Sequence, residues 1–199
     1  MNKPFSQSCE NNKQPILQRL QTIFHSPQTV WEIGSGTGQH GCFFAESLPH
    51  LIWQTTDREE NICGINRWIE ESESAKLPKS LTLNVTDQDW PCQAIDALFT
   101  ANTLHIMHSH EVESLFTGLE KYLTDTATVC IYGPFNYHGD YTSASNAQFD
   151  QWLKARDPES GIRDFEVIEN LASKAGLLIS NDFEMPSNNR LLVFSKTVI

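Results

Sequence analysis

The feature that most constrains this chain is an apolar run that breaks into glycines at alternate positions: Val30-Trp31-Glu32-Ile33-Gly34-Ser35-Gly36-Thr37-Gly38. The apolar residues read as a buried strand, and the glycines force a turn because only a residue without Cβ adopts positive φ freely. A helical pattern over 39–48 follows, so the turn opens directly into a helix. A turn of this kind lets a ligand approach the backbone, and the free N–H groups at the helix start suit a polar or anionic group. A tight strand-to-helix turn without any ligand is the plainer reading of the same residues. Asp57 adds weight to the ligand: it ends the next apolar run about 20 residues on, where a carboxylate can accept both hydroxyls of a ribose. Asp57 could equally cap the helix after it, and the two roles are compatible.

Around this loop the chain alternates. Apolar runs at 29–33, 51–55, 81–85, 95–100 and 128–132 read as strands, and helical patterns at 39–48, 60–71 and 111–123 lie between them, as in an open parallel sheet. A leading amphipathic helix carries Ile16, Leu17, Leu20, Ile23 and Phe24, with Pro15 expected in its first turn. After the fifth strand, 133–144 is polar and aromatic and leads into a helix at 145–156, so 133–164 reads as an insertion over the sheet edge. Asp164 can cap one further helix, which ends at Gly176. Runs at 177–183 and 191–196, joined by Pro186, Ser187, Asn188 and Asn189, are spaced for a closing antiparallel hairpin. The expectation is a single domain over 1–199, with 1–28 as an N-terminal lid or helix segment.

Charge limits the partners. A net charge of −11 would repel a phosphate backbone, which argues against a nucleic-acid substrate. The five cysteines form no CxxC pair, which speaks against a disulfide framework or a structural zinc and for a reducing, cytoplasmic setting. No apolar stretch reaches the roughly 18 residues of a membrane span or resembles a signal peptide.

The spacing of Glu32, Gly34, Gly36 and Gly38 resembles the acidic-x-Gly-x-Gly-x-Gly motif of class I methyltransferases. That resemblance implies S-adenosylmethionine as cofactor, on an α/β, Rossmann-like fold with a mostly parallel seven-stranded sheet, helices on both faces and a C-terminal antiparallel hairpin. The residues that would hold the cofactor are Glu32, Gly34, Ser35, Gly36, Gly38, Asp57, Asn84, Val85 and Asn102. Methyltransferases often place an Asp of the third strand against the adenine amino group; here the strand reads Leu83-Asn84-Val85, so the Asn84 carbonyl would serve, with Asp87 as a second candidate. A rival register, Gly36, Gly38 and Gly41, forms the G-x-G-x-x-G string of nicotinamide dehydrogenases, but its first glycine lies beyond the strand and Asp57 comes early.

Over nearly its whole length the chain also resembles the methyltransferase-like 26 family. The matching segments are Phe5-Ser6, Cys9-Glu10-Asn11, the 32–40 loop, Trp53-Gln54, Asn102, Leu104-His105, Gly133-Pro134-Phe135, Gly161-Ile162-Arg163-Asp164 and Met185-Pro186-Ser187-Asn188-Asn189. This resemblance implies cofactor binding and leaves the methyl acceptor open.

Ligands of doubly wound sheets sit beyond the carboxyl ends of the strands, which directs attention to Asn102, His105 and the 133–140 loop. His105 is the best-placed general base, and pocket lining is its alternative. His105, His108 and His110 form an H-x-x-H-x-H string without the carboxylate or thiol spacing of a metal site. Tyr132, Phe135, Tyr137 and Tyr141 could offer aromatic faces to a sulfonium or ammonium, or simply cover the sheet edge. Arg163 could orient a substrate carboxylate or lock a lid, and residues 6–12 could fold over the cofactor. The expected activity is methyl transfer to a small-molecule or protein acceptor; a non-catalytic cofactor-binding or assembly module is the alternative, and an NAD(P)-dependent oxidoreductase a lesser one.

Overall fold

The computed structural model describes residues 3–26 and 28–196. The chain divides into two compact units, Met1–Thr100 and Ala101–Ile199.

The first unit opens with α1 (Gln7–Ile23), whose N-cap Ser6 accepts a hydrogen bond from the Cys9 N–H and whose inner face buries Ile16, Leu17 and Leu20. Pro15 therefore lies inside the helix and not in its first turn. The polar residues 7–14 carry no apolar period, so the Ser6 cap sets the start earlier than periodicity indicates. Then come β1 (Thr29–Ile33), α2 (Gln39–Ser47), β2 (Ile52–Asp57), α3 (Glu59–Glu71), β3 (Leu81–Thr82) and β4 (Ile95–Ala101). β1 pairs in parallel with both β2 and β4. Trp53, Phe44 and Phe99 pack together in the core, Phe44 edge-on to Phe99 and Trp53 tilted against both, with centroids 5.1 to 5.7 Å apart.

β3 stops after Thr82, short of the expected 81–85. The Asn84 Oδ1 accepts from the N–H and hydroxyl of Thr86, and the Asp87 N–H donates to the Asn84 carbonyl at 2.9 Å. Side chains that bond their own backbone compete with the ladder and turn the chain out of it.

The second unit holds α4 (Ser109–Tyr122), β5 (Leu123–Gly133), β6 (Phe135–Asn136), α5 (Ala144–Arg156), β7 (Arg163–Asp164), α6 (Phe165–Lys174), β8 (Leu177–Met185) and β9 (Asn189–Lys196). The expected insertion is thus partly regular: β6 pairs in parallel with β7 as a separate two-stranded sheet. Asp164 occupies the N-cap of α6 without a side-chain capping bond, and Gly176 follows that helix at φ +75°. β9 pairs antiparallel with both β5 and β8. Ser187 and Asn188, at φ 60° and 57°, turn the hairpin. The main sheet has seven strands in the order β3-β2-β1-β4-β5-β9-β8, mostly parallel with the C-terminal hairpin antiparallel.

Candidate functional site

In the first unit the strand order reverses between β1 and β4, and the glycine loop leaves the carboxyl end of β1 at that point. Gly34, Gly36 and Gly38 have φ of 71°, 58° and 88°, a bend that side chains disfavour. The loop is tied to β2: the Gly34 and Ser35 N–H groups both donate to the Thr56 carbonyl at 3.0 Å, and the Thr56 hydroxyl donates to the Glu32 carbonyl at 2.8 Å. The Gly36 N–H donates to Asp57 Oδ2 at 2.6 Å. The other Asp57 oxygen accepts from the Arg58 N–H and the Asn61 amide, at 2.7 and 2.8 Å. One carboxylate thus shapes the loop and anchors the start of α3.

Gly38 is explained by space as well as φ, and Gly41, within α2, by space alone. A Cβ on Gly38 would lie 3.1 Å from the Ile65 Cα, and one on Gly41 would lie 2.4 Å from the Thr55 Cγ2. Gly36 differs, since a Cβ there would meet nothing within 4 Å and would project into open space. Below the loop, Glu32 is 2% exposed and accepts from the Trp53 indole N–H at 2.9 Å. Burial pushes its pKa up to about 7 against that bond, and the charge of Asp57 adds to the rise.

Sequence reasoning missed a buried polar network beside the loop. The Gln39 Oε1 accepts from the Ser6 N–H at 2.5 Å and the Thr37 hydroxyl at 3.0 Å, and its amide donates to Glu10 Oε1 at 2.7 Å. His40 Nε2 lies 2.7 Å from Asn12 Oδ1, and burial takes its pKa down to about 4. The ring is therefore neutral, with its proton on Nε2. Residues 6–12 are thus the capped first turns of α1, fastened to the loop. The available signal was two polar residues, Gln39 and His40, at the inward start of α2. Val85 is buried and Asn84 is half-buried in its turn.

In the second unit, Asn102 stands at φ 58°, with its N–H donating to the Tyr132 carbonyl at 2.9 Å. Four successive carbonyls beyond it are answered by one later segment. Leu104 accepts from Arg163 Nε at 3.1 Å, His105 from the Gly161 N–H at 2.9 Å, Ile106 from the Ser160 hydroxyl at 2.9 Å, and Met107 from Arg163 Nη2. Arg163 also bonds the Glu159 carbonyl. The Arg163 guanidinium is thus engaged with backbone carbonyls.

His105 is 6% exposed, with its ring edge-on to Phe149 at 5.3 Å. A Cβ on Gly133 would lie 3.8 Å from its Nδ1. Burial, helped by the charge of Arg163, lowers its pKa to about 4, so the imidazole is neutral. Among the described residues neither ring nitrogen has a hydrogen-bond partner. Tyr137 is stacked on Phe165 at 5.3 Å and donates its hydroxyl to Asp182 at 2.7 Å. Tyr141 donates to Asp150 at 2.6 Å, while Tyr132 and Phe135 are buried. His108 contacts Asp157 and Glu159, and no group of three or more potential metal-binding side chains occurs among the described residues.

Solved structures share this architecture. An O-methyltransferase family protein from Burkholderia thailandensis matches with a TM-score of 0.79 and 16% identity over 93% of this chain and 56% of its own. A putative O-methyltransferase from Nostoc punctiforme matches with a TM-score of 0.79 and 19% identity over 94% and 56%. CalO1, a methyltransferase in calicheamicin biosynthesis seen in an S-adenosylhomocysteine-bound form, matches with a TM-score of 0.67 and 14% identity over 85% and 49%. The chain spans about half the length of these proteins, and the likeness is one of fold. A family model described as "Protein of unknown function (DUF938)" matches residues 3–196, and the chain belongs to that family.

Proposed function

We propose that this chain transfers a methyl group from S-adenosylmethionine to a small-molecule or protein acceptor. The observation that carries the reading is the Gly36-to-Asp57 hydrogen bond, which fixes an open glycine loop and a carboxylate together at the reversal of strand order. The residues present fit the cofactor. Gly36 faces open space, and Asp57 keeps acceptor capacity beyond its present bonds for ribose hydroxyls. Glu32, Gly34, Ser35, Gly36, Gly38, Asp57, Asn84 and Val85 would hold it. When bound, it supplies an electrophilic methyl on a sulfonium.

The remaining work falls to side chains. Gly34 and Gly38 let the backbone approach the ligand closely. Glu32 offers a buried carboxylate that a nearby cation would drive toward its ionised form. His105, neutral and of low basicity, hydrogen-bonds an acceptor; it takes the acceptor's proton only as the new bond to the methyl carbon forms, because full abstraction beforehand is unfavourable at a pKa of about 4. Holding the acceptor in line then supplies much of the acceleration.

The antiparallel β8–β9 hairpin in the sheet argues against the nicotinamide alternative, whose fold is built from parallel strands. The likeness to the methyltransferase-like 26 family and the fold shared with solved methyltransferases support the reading. The −11 charge disfavours nucleic acid, and among the described residues no helix is long and apolar enough to cross a membrane. The free cysteines suit a reducing cytoplasm. Calorimetric titration with S-adenosylhomocysteine, with NAD and NADP in parallel, tests the proposal. Selective binding that Asp57→Ala loses is expected; preference for a nicotinamide cofactor, or no binding at all, overturns it.

A further inference from the structure

Buried polar groups are hydrogen-bonded as a rule, and an exception calls for an explanation. Asn136, 7% exposed in β6, buries its Oδ1 with no partner. His105 is buried as a residue, at 6% exposed, but its ring nitrogens are not sealed from solvent as the Asn136 Oδ1 is. Both belong to one neighbourhood of the second unit. Gly133 lies against His105 Nδ1, and Asn136 follows three residues later, so its Cα is within about 11 Å of that glycine. The strand bearing Asn136 is paired with β7, whose Arg163 holds the carbonyls of Leu104 and Met107 on either side of His105. Phe149, edge-on to His105, gives the neighbourhood an apolar wall.

The cationic groups of the surrounding elements are already engaged. Arg163 is bound to carbonyls, Lys154 pairs with Asp150 at 2.6 Å, and Arg190 pairs with Asp182 at 2.7 Å. Asp150 also accepts from the Tyr141 hydroxyl and the Ile162 N–H. A carboxylate or phosphate ligand would be desolvated there beside Asp150 and beside Asp164, the register partner of Asn136, with Arg163 and Lys154 already engaged, which disfavours it. What remains is the orphaned Asn136 amide oxygen, which accepts, beside the neutral His105 imidazole, which donates from one ring nitrogen and accepts at the other. A hydroxyl matches both, because it too donates and accepts.

We propose that Asn136 and His105 form a recognition site for an uncharged hydroxyl group borne on an apolar, ring-sized body. As the methyl-acceptor site it rests on the transferase reading; as a binding site it stands apart from it. The hydroxyl could come from a free small molecule or from a tyrosine of a protein, and two probes separate these sources.

The test is an NMR titration of the full chain with p-cresol, N-acetyltyrosinamide, benzoate and benzylammonium, following the Asn136 side-chain amide and the His105 ring. One or both hydroxyl probes should shift both sets of signals saturably, and the tighter of the two identifies the source. Asn136→Leu should weaken that binding about tenfold, the scale of one neutral hydrogen bond. It should also raise the melting temperature, since an apolar side chain no longer buries an orphan; Asn136→Ala repeats the binding measurement if the leucine does not fit. Equal binding of benzoate or benzylammonium, unchanged binding to both variants, or no shift with any probe overturns the proposal. S-adenosylhomocysteine titrated separately distinguishes its failure from that of the transferase reading: lost cofactor binding sinks the latter and leaves the hydroxyl site standing.

Discussion

In the glycine loop the main chain is bent and the side chains tie it down, whereas around His105 the main chain is tied down and the side chains are left over. Asp57, Ser35, Thr56 and Gln39 fasten a backbone of positive φ, and most of their polar atoms are used in doing so. At 104–107 the carbonyls are answered by 160–163, while the His105 imidazole has no hydrogen-bond partner among the described residues. The difference separates two tasks. A rigid cradle suits a ligand whose shape never varies, and unanswered side chains suit a ligand that must be chosen, because a molecule lacking the matching group leaves them buried and unpaired.

The largest effect is expected from Gly41→Ala, which places a Cβ 2.4 Å from the Thr55 methyl and forces α2 away from β2. A loss of about 3 kcal/mol in denaturant unfolding, together with loss of S-adenosylhomocysteine binding, is expected; unchanged stability would show that the cradle tolerates slack. Titration then sets the two regions against each other. Glu32 binds its proton more tightly folded than unfolded, so it lowers stability as pH rises from about 4.5 to about 7 and stays unfavourable above that. His105 does the reverse: its folded pKa of about 4 lies below the ordinary 6.5, so its contribution is complete above pH 6.5 and is lost as pH falls toward 4. Each amounts to roughly 3 kcal/mol at most. Glu32→Gln should therefore stabilise the protein at pH 8, and His105→Gln should blunt its acid sensitivity; thermal melts across pH would expose slopes of the wrong sign.

Asp57→Ala removes charge-assisted bonds to Gly36, Arg58 and Asn61 and should cost about 2 kcal/mol of stability. Hydrogen exchange should rise at the Gly36 and Arg58 amides and remain flat at Gly161; an equal rise at Gly161 would blur the contrast between the regions. The smallest change should come from Asn102→Gly. Its φ of 58° suits glycine, so stability should move by less than about 1 kcal/mol. A fall in S-adenosylhomocysteine affinity without a change in melting temperature would then assign the Asn102 side chain to the cofactor.

Much of the fold is legible in the chain because the signals are local. Runs such as 29–33 and 95–100, glycines at positive φ, and the Pro186 to Asn189 turn each carry their own conformational reason. The short β3 escaped because Asn84 and Thr86 prefer to bond one another, a choice that apolar content does not register. Pro15 misled for a related reason: its tolerance at a first turn said nothing of the polar turns before it. At the site, the glycines and Asp57 could be read, since spacing alone brings them together. Gln39, Asn12 and Asn136 could not, because a buried polar side chain leaves no period in the sequence and its partner is decided by tertiary packing.

The clamp on residues 104–107 also bears on the order in which the molecule takes shape. The loop's bonds from Asp57, Trp53, Glu10 and Ser6 close spans of 21 to 33 residues, whereas those from Ser160 and Arg163 to the 104–107 carbonyls close spans of 54 to 59. During synthesis the chain emerges from its N-terminus at about 5 to 20 residues per second. The cradle can close as soon as β2 is out, while the four carbonyls wait in water until residue 163 follows, several seconds later on that scale.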